Sequence, residues 1–132
     1  MIGTLQCVIL DCPDPPGLAR FYQALLGGTV NQADPRWSVD DGFATLHSET
    51  GLVLAFQRVT DFRAPQWPAG AHPQQFHLDV DVPVLDEAHA QVLELGATLL
   101  HVDSRGWKVF ADPAGHPFCL LQGRRRGPVA QS

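Results

Sequence analysis

Gln75-Phe76-His77-Leu78-Asp79-Val80-Asp81-Val82 alternates apolar and polar residues, and its reading decides the fold. Successive side chains of a strand point to opposite faces, so Phe76, Leu78, Val80 and Val82 share one side while His77, Asp79 and Asp81 share the other. A solvated sheet face would explain the polar set. A sheet curled around a pocket would instead put the same three residues where chemistry happens.

Downstream, Leu85, Ala88, Val92 and Leu95 give a helical stripe over about 84–95, ended by Gly96. Strands are then predicted at Thr98–Val102, Trp107–Ala111 and Phe118–Gln122, with a turn at Asp112-Pro113-Ala114-Gly115. The first half has the same order. Leu5–Leu10 reads as a strand, Asp14 and Pro15 open a helix carrying Leu18, Phe21, Tyr22, Leu25 and Leu26, and Gly27-Gly28 stops it. Thr29–Gln32 and a hairpin of Phe43–His47 with Leu52–Val59 follow. The interval from Leu10-Asp11 to Leu26-Gly27 and that from Leu78-Asp79 to Leu95-Gly96 differ by one residue. Such repetition predicts a duplicated βαβββ unit. The expected fold is α+β: two modules forming a curled mixed sheet around a central cavity, helices outside. The predicted boundaries are 1–59 for the first module, 60–73 for a proline-rich linker or lid, 74–123 for the second module and 124–132 for a flexible basic tail.

Composition narrows the partners. A chain of 132 residues with net charge -5 lacks the basic stripe that nucleic acid requires, since only Arg124, Arg125 and Arg126 cluster. No apolar run is long enough to span a bilayer. Cys7, Cys12 and Cys119 cannot all pair and no leader-like segment precedes the first strand, so a cytoplasmic protein with reduced thiols is expected. Neither Gly-x-Ser-x-Gly nor a Walker pattern occurs.

The chain carries Asp11-Cys12-Pro13-Asp14, Phe21-Tyr22, Leu26-Gly27, His77-Leu78-Asp79-Val80, Leu95-Gly96-Ala97 and the segment Val109 to Phe118 around Asp112-Pro113-Ala114-Gly115. Over about residues 4–122 these motifs resemble the vicinal oxygen chelate superfamily, which includes glyoxalase I, extradiol dioxygenases, and fosfomycin- and bleomycin-resistance proteins. Leu54 to Val59 and Phe118-Cys119-Leu120 look like a glyoxalase-like subgroup. The resemblance implies a homodimer and, in metal-using members, one ligand from each of four strands. Carried onto this sequence, those positions fall on Cys7, His77, Cys119 and, in Val53–Gln57, Gln57 as the only polar side chain. Only His77 keeps an ordinary ligand identity. The set Cys7, His77, Cys119 with Gln57 is one that zinc or another divalent ion accepts, but cysteines in apolar strands commonly act as small buried hydrophobes. No cofactor is therefore favoured, with a divalent metal as the alternative.

His77 with Asp79 makes a candidate catalytic acid–base pair that needs no metal. Asp11 is a further carboxylate candidate, although its position just before a helix favours a capping role. Trp37 and Trp67 sit in proline-flanked irregular segments, and with Trp107, Phe43 and Phe56 they are candidate walls for a planar ligand. Dimer contact accounts for exposed-loop tryptophans as well, and Trp107 at a strand start also suits simple packing. The expected function is binding of a small, planar or aromatic molecule by a metal-free protein. The alternative is a metal-dependent glyoxalase-type lyase or isomerase acting through an enediolate.

Overall fold

The structure is a computed structural model that describes residues 1–123; the expected basic tail at 124–132 lies outside the described residues. The chain divides into two units, Met1–Arg63 and a second that begins at Ala64. Each is a βαβββ module. The first contains β1 (Val8–Cys12), α1 (Pro15–Leu26), β2 (Thr29–Val30), β3 (Phe43–His47) and β4 (Val53–Arg58). The second contains β5 (Leu78–Val82), α2 (Leu85–Glu94), β6 (Thr98–Val102), β7 (Trp107–Ala111) and β8 (Pro117–Gln122).

The sheets share one topology, β1-β4-β3-β2 and β5-β8-β7-β6. In each, the opening strand pairs in parallel with the last strand of its module, and the other pairings are antiparallel. A parallel neighbour needs a crossover, which the intervening helix supplies. Both sheets are open and four-stranded, and they are mixed, as expected from the repeat.

In the first unit the Asp14 carboxylate accepts from the Gly17 N–H at 3.2 Å and caps α1, with proline in the first turn. Helix residues Leu18, Ala19, Phe21 and Tyr22 are buried. Tyr22 stacks on Phe56 of β4 with centroids 5.8 Å apart, and Phe21 meets Tyr22 edge-on at 5.0 Å. Leu46, Leu54 and Phe56 are fully buried. Each such side chain contributes roughly 1.5–3 kcal/mol on leaving water.

The second helix is held differently. Val84 offers no side-chain cap, and the Leu85 N–H instead donates to Gln122 Oε1 at 2.7 Å. Asp86 and Glu87 in the first turn suit the helix dipole. Beneath the helix, Phe110 and Phe118 stack at 5.6 Å, and His89 meets Phe110 edge-on at 5.3 Å.

Three expectations shift. The first strand is Val8–Cys12 rather than Leu5–Leu10, because its parallel partners begin with Val8 opposite Leu54; Leu5 is left 75% exposed. The strand expected at Thr29–Gln32 ends at Val30, since Asn31 turns left-handed and its side-chain oxygen accepts the Thr45 N–H at 2.9 Å. The segment expected as a linker or lid at 60–73 is divided at Arg63. Its later part forms a turn tied by Gln66 N–H to His72 O at 2.7 Å, and Trp67 packs onto the second unit's sheet.

The Asp112-Pro113-Ala114-Gly115 turn launches β8. Asp112 is buried, and its carboxylate accepts from the Ala114 N–H at 2.8 Å and the His116 N–H at 3.0 Å and pairs with His116 Nδ1 at 2.7 Å. Gly115 closes the turn with φ of 100° against Ala64, where a Cβ would lie 2.8 Å from that alanine's own. Replacing Asp112 by alanine removes three hydrogen bonds to part-buried groups, and urea unfolding should register a loss of about 3 kcal/mol. A loss below about 1 kcal/mol would mean that the turn does not depend on this carboxylate.

Candidate functional site

The second unit's two sheet faces differ in kind. Asp79 lies opposite Cys119 and Asp81 opposite Leu121 across the parallel pair, while Val109 opposes Cys119 and Trp107 opposes Leu121 across β7 and β8. Paired residues point to the same side. The face away from α2 therefore carries Asp79, Asp81, Cys119, Leu121, Val109 and Trp107, with His77 continuing the alternation just before β5.

On this face Val109, Cys119 and Leu121 are buried as one apolar cluster, and Trp67 and Trp107 pack against it. At its edge His77 Nε2 lies 3.1 Å from Asp79 Oδ1, with both side chains partly exposed. One donor atom each from His77, Asp79 and Cys119 lie within 4.8 Å of one another. Cys119 thus belongs both to the tryptophan-covered cluster and to the polar trio. Its thiol forms no disulfide.

The donor set fits a borderline-soft ion. Tetrahedral zinc holding N, O and S atoms at about 2.0–2.3 Å spaces its ligands about 3.3–3.8 Å apart. A contraction of about 1 Å would bring the trio to that spacing. A thiolate donor matches zinc better than manganese.

The other sequence candidates are placed less centrally. Cys7 immediately precedes β1 as His77 precedes β5, so the two are repeat-equivalent, but Cys7 belongs to the first unit. Gln57 pairs with Asp11 and Phe43. The first-unit equivalent of Cys119 is Ala55, which faces Ile9 as Cys119 faces Asp79 and has no donor to offer. Phe56 is a correction: it is fully buried and stacked on Tyr22, so it belongs to the helix-side core and not to a ligand wall. Phe43, half-buried, lies on the opposite face of that sheet with Gln57 and Asp11. Trp37 is half-buried against His47, with ring centroids 5.7 Å apart. Asp79 makes no helix cap; it is a strand residue paired with His77.

Two features went unread in the sequence. His116 helps to fix the turn that aims β8 and hence Cys119. Arg36 and Arg105 each lie over the ring of the tryptophan that follows, with the guanidinium carbon 4.3 Å from the centroid. The signal was present as Asp34-Pro35-Arg36-Trp37 and Asp103-Ser104-Arg105-Gly106-Trp107, one copy in each half. The first unit also has a polar cleft of about 350 Å³ lined by Gly28, Thr29, Gln32, His47, Ser48, Glu49 and Gly51, which none of the predicted site residues borders.

Among the described residues no helix is long and apolar enough to cross a membrane. No match was found among curated proteins. Solved structures share the fold. A glyoxalase/bleomycin resistance protein/dioxygenase family enzyme from Burkholderia phytofirmans is 18% identical with a TM-score of 0.66, covering 91% of this chain and 98% of that one. The fosfomycin resistance protein FosX from Mesorhizobium loti is 14% identical with a TM-score of 0.65, covering 94% of both chains. A FosX variant from Listeria monocytogenes, complexed with Mn(II) and 1S,2S-dihydroxypropylphosphonic acid, is 18% identical with a TM-score of 0.66, covering 94% of this chain and 95% of that one. The glyoxalase-like domain model matches residues 7–121, from Cys7 at the foot of β1 almost to the end of β8. With its duplicated βαβββ modules, this chain belongs to the glyoxalase-like domain family of the vicinal oxygen chelate superfamily.

Proposed function

We propose that this chain binds a small planar molecule on the helix-free face of its second unit, with Trp67 and Trp107 as apolar walls and His77, Asp79 and Cys119 as the polar end of the site. The observation that supports this reading is the double membership of Cys119, which belongs both to the cluster against which the tryptophans pack and to the polar trio. Ligand sites commonly combine these elements: mostly apolar walls and a few convergent polar atoms.

Charge narrows the ligand. Only Arg105 and Lys108 are basic within residues 64–123. Arg105 is committed to Asp103 at 2.9 Å, and Lys108 Nζ contacts His89 at 2.7 Å and Asp86 at 3.5 Å. With Asp79 and Asp81 on the same face, a neutral or cationic planar molecule is accommodated better than a phosphonate such as the Listeria FosX variant holds. The homodimer also belongs to this proposal.

A second reading is favoured by the clustering of His77, Asp79 and Cys119: a divalent ion, preferably zinc, held by these three side chains in a lyase or isomerase of the glyoxalase type. A bound ion would supply Lewis acidity to a substrate oxygen. His77, Asp79 and Cys119 would be engaged as its ligands, and the tryptophans would exclude water.

Titration with neutral, cationic and phosphonate-bearing compounds should show tryptophan quenching by the planar neutral or cationic ones at micromolar concentrations, with the compound recovered unchanged. Trp107→Ala should weaken that binding about tenfold, equivalent to ~1.4 kcal/mol. Quenching by phosphonates alone, or an unaltered affinity in Trp107→Ala, would contradict the reading. Elemental analysis separates the two readings. The metal-dependent one requires near-equimolar zinc that disappears in His77→Ala and in Cys119→Ala. Metal-free protein whose melting temperature is insensitive to zinc, nickel, cobalt, manganese and iron excludes it.

A further inference from the structure

The repeat carries a second duplicated device. In each unit an aspartate lies two residues before an arginine: Asp34 with Arg36, and Asp103 with Arg105. One carboxylate oxygen accepts the arginine's backbone N–H, at 2.9 Å for Arg36 and 2.8 Å for Arg105, closing a local turn. The same carboxylate grips the guanidinium as a fork: Nε and Nη2 of Arg36 donate at 3.0 and 2.7 Å, and those of Arg105 at 2.9 and 3.2 Å. The held guanidinium then lies 4.3 Å from the ring centroid of Trp37 in one unit and of Trp107 in the other.

A histidine completes each set. His47 Nε2 lies 3.3 Å from Asp34 Oδ2, and His101 Nε2 lies 3.5 Å from Asp103 Oδ2. Each histidine also meets an indole, Trp37 at 5.7 Å and Trp67 at 5.3 Å. The arginine hydrogen bonds hold both carboxyls well below the usual range, Asp103 at about 2, and the aspartates in turn raise both arginines.

Global stability does not explain the duplication. Arg36 and Arg105 side chains are 47% and 62% exposed, and ion pairs so exposed add little to folding. Anion capture does not explain it either, since each guanidinium is already neutralised by its own aspartate. What remains is geometry, because a planar cation fixed by a fork of hydrogen bonds presses one face of an indole into a single orientation.

We infer that Arg36 and Arg105 are positioning residues that clamp Trp37 and Trp107, so that in the second unit the indole of the ligand-binding face is already ordered before a ligand arrives. This rests on the binding reading above for its purpose, but not for its test. Such ordering would lower the entropy lost on binding.

Indole N–H relaxation in the ligand-free full chain tests the clamp, with folding of each variant checked by far-ultraviolet circular dichroism. In the wild type Trp107 should be as ordered as the backbone. Arg105→Gln and Asp103→Asn should each free it, and Arg105→Lys should fail to restore order, because an ammonium keeps the charge but neither the fork nor the plane. Acid provides a further arm. A depressed carboxyl contributes fully above its ordinary value of 3.8 and loses that contribution as pH falls toward about 2, so Trp107 should stay ordered at pH 4 and loosen below it. Where a planar ligand binds, Arg105→Gln should weaken it about two- to fivefold. Unchanged Trp107 order in both Arg105→Gln and Asp103→Asn, or full rescue by lysine, would overturn the inference. Because the relaxation measurement uses no ligand, that failure is distinct from a failure to find a planar ligand.

Discussion

The candidate site depends on the parallel pairing of β5 with β8. Asp79 stands opposite Cys119 only because Leu78 starts opposite Phe118, and a slip of one residue would move Cys119 to the helix side. Two constraints fix that register. Phe118 and Leu120 are fully buried, and the Asp112–His116 turn sets where β8 begins. The polar trio is therefore a product of core packing and turn chemistry together. It sits at the end of a covalent path of local structure, while its members come from strands about forty residues apart in the chain.

The order of elements was legible because hydrophobic period and glycine stops are local. Thr98–Val102 and Trp107–Ala111 were read to the residue. Of the candidate site, His77 was legible from a clean alternation, while Cys119 was reached only through the family resemblance; one donor atom from each lies in a trio with Asp79. Gln57 shows what period cannot resolve: a two-residue offset preserves the face, so Ala55 and Gln57 look equivalent until pairing partners are known. Phe56 shows what period could have resolved. It adjoins Gln57 on one strand, so the two could not both have faced the same ligand.

Arginine–aspartate pairs at i and i+2 are common on surfaces, and either one here is unremarked by itself. Their recurrence at one place in both modules, each beside a tryptophan, is what gives them meaning. Duplication is informative here because the modules have otherwise diverged. The first presents Ile9 and Ala55 where the second presents Asp79 and Cys119. The donor trio lies in the second unit, while an arginine–tryptophan contact recurs in both.

The most direct test of this account is amide and indole chemical-shift mapping of the full chain titrated with a planar neutral or cationic compound that quenches its tryptophans. The account predicts that the largest perturbations fall on Trp67, Trp107, Cys119 and His77. Perturbations centred on His47, Glu49 and the polar cleft of the first unit, with the second unit's helix-free face unchanged, would contradict it.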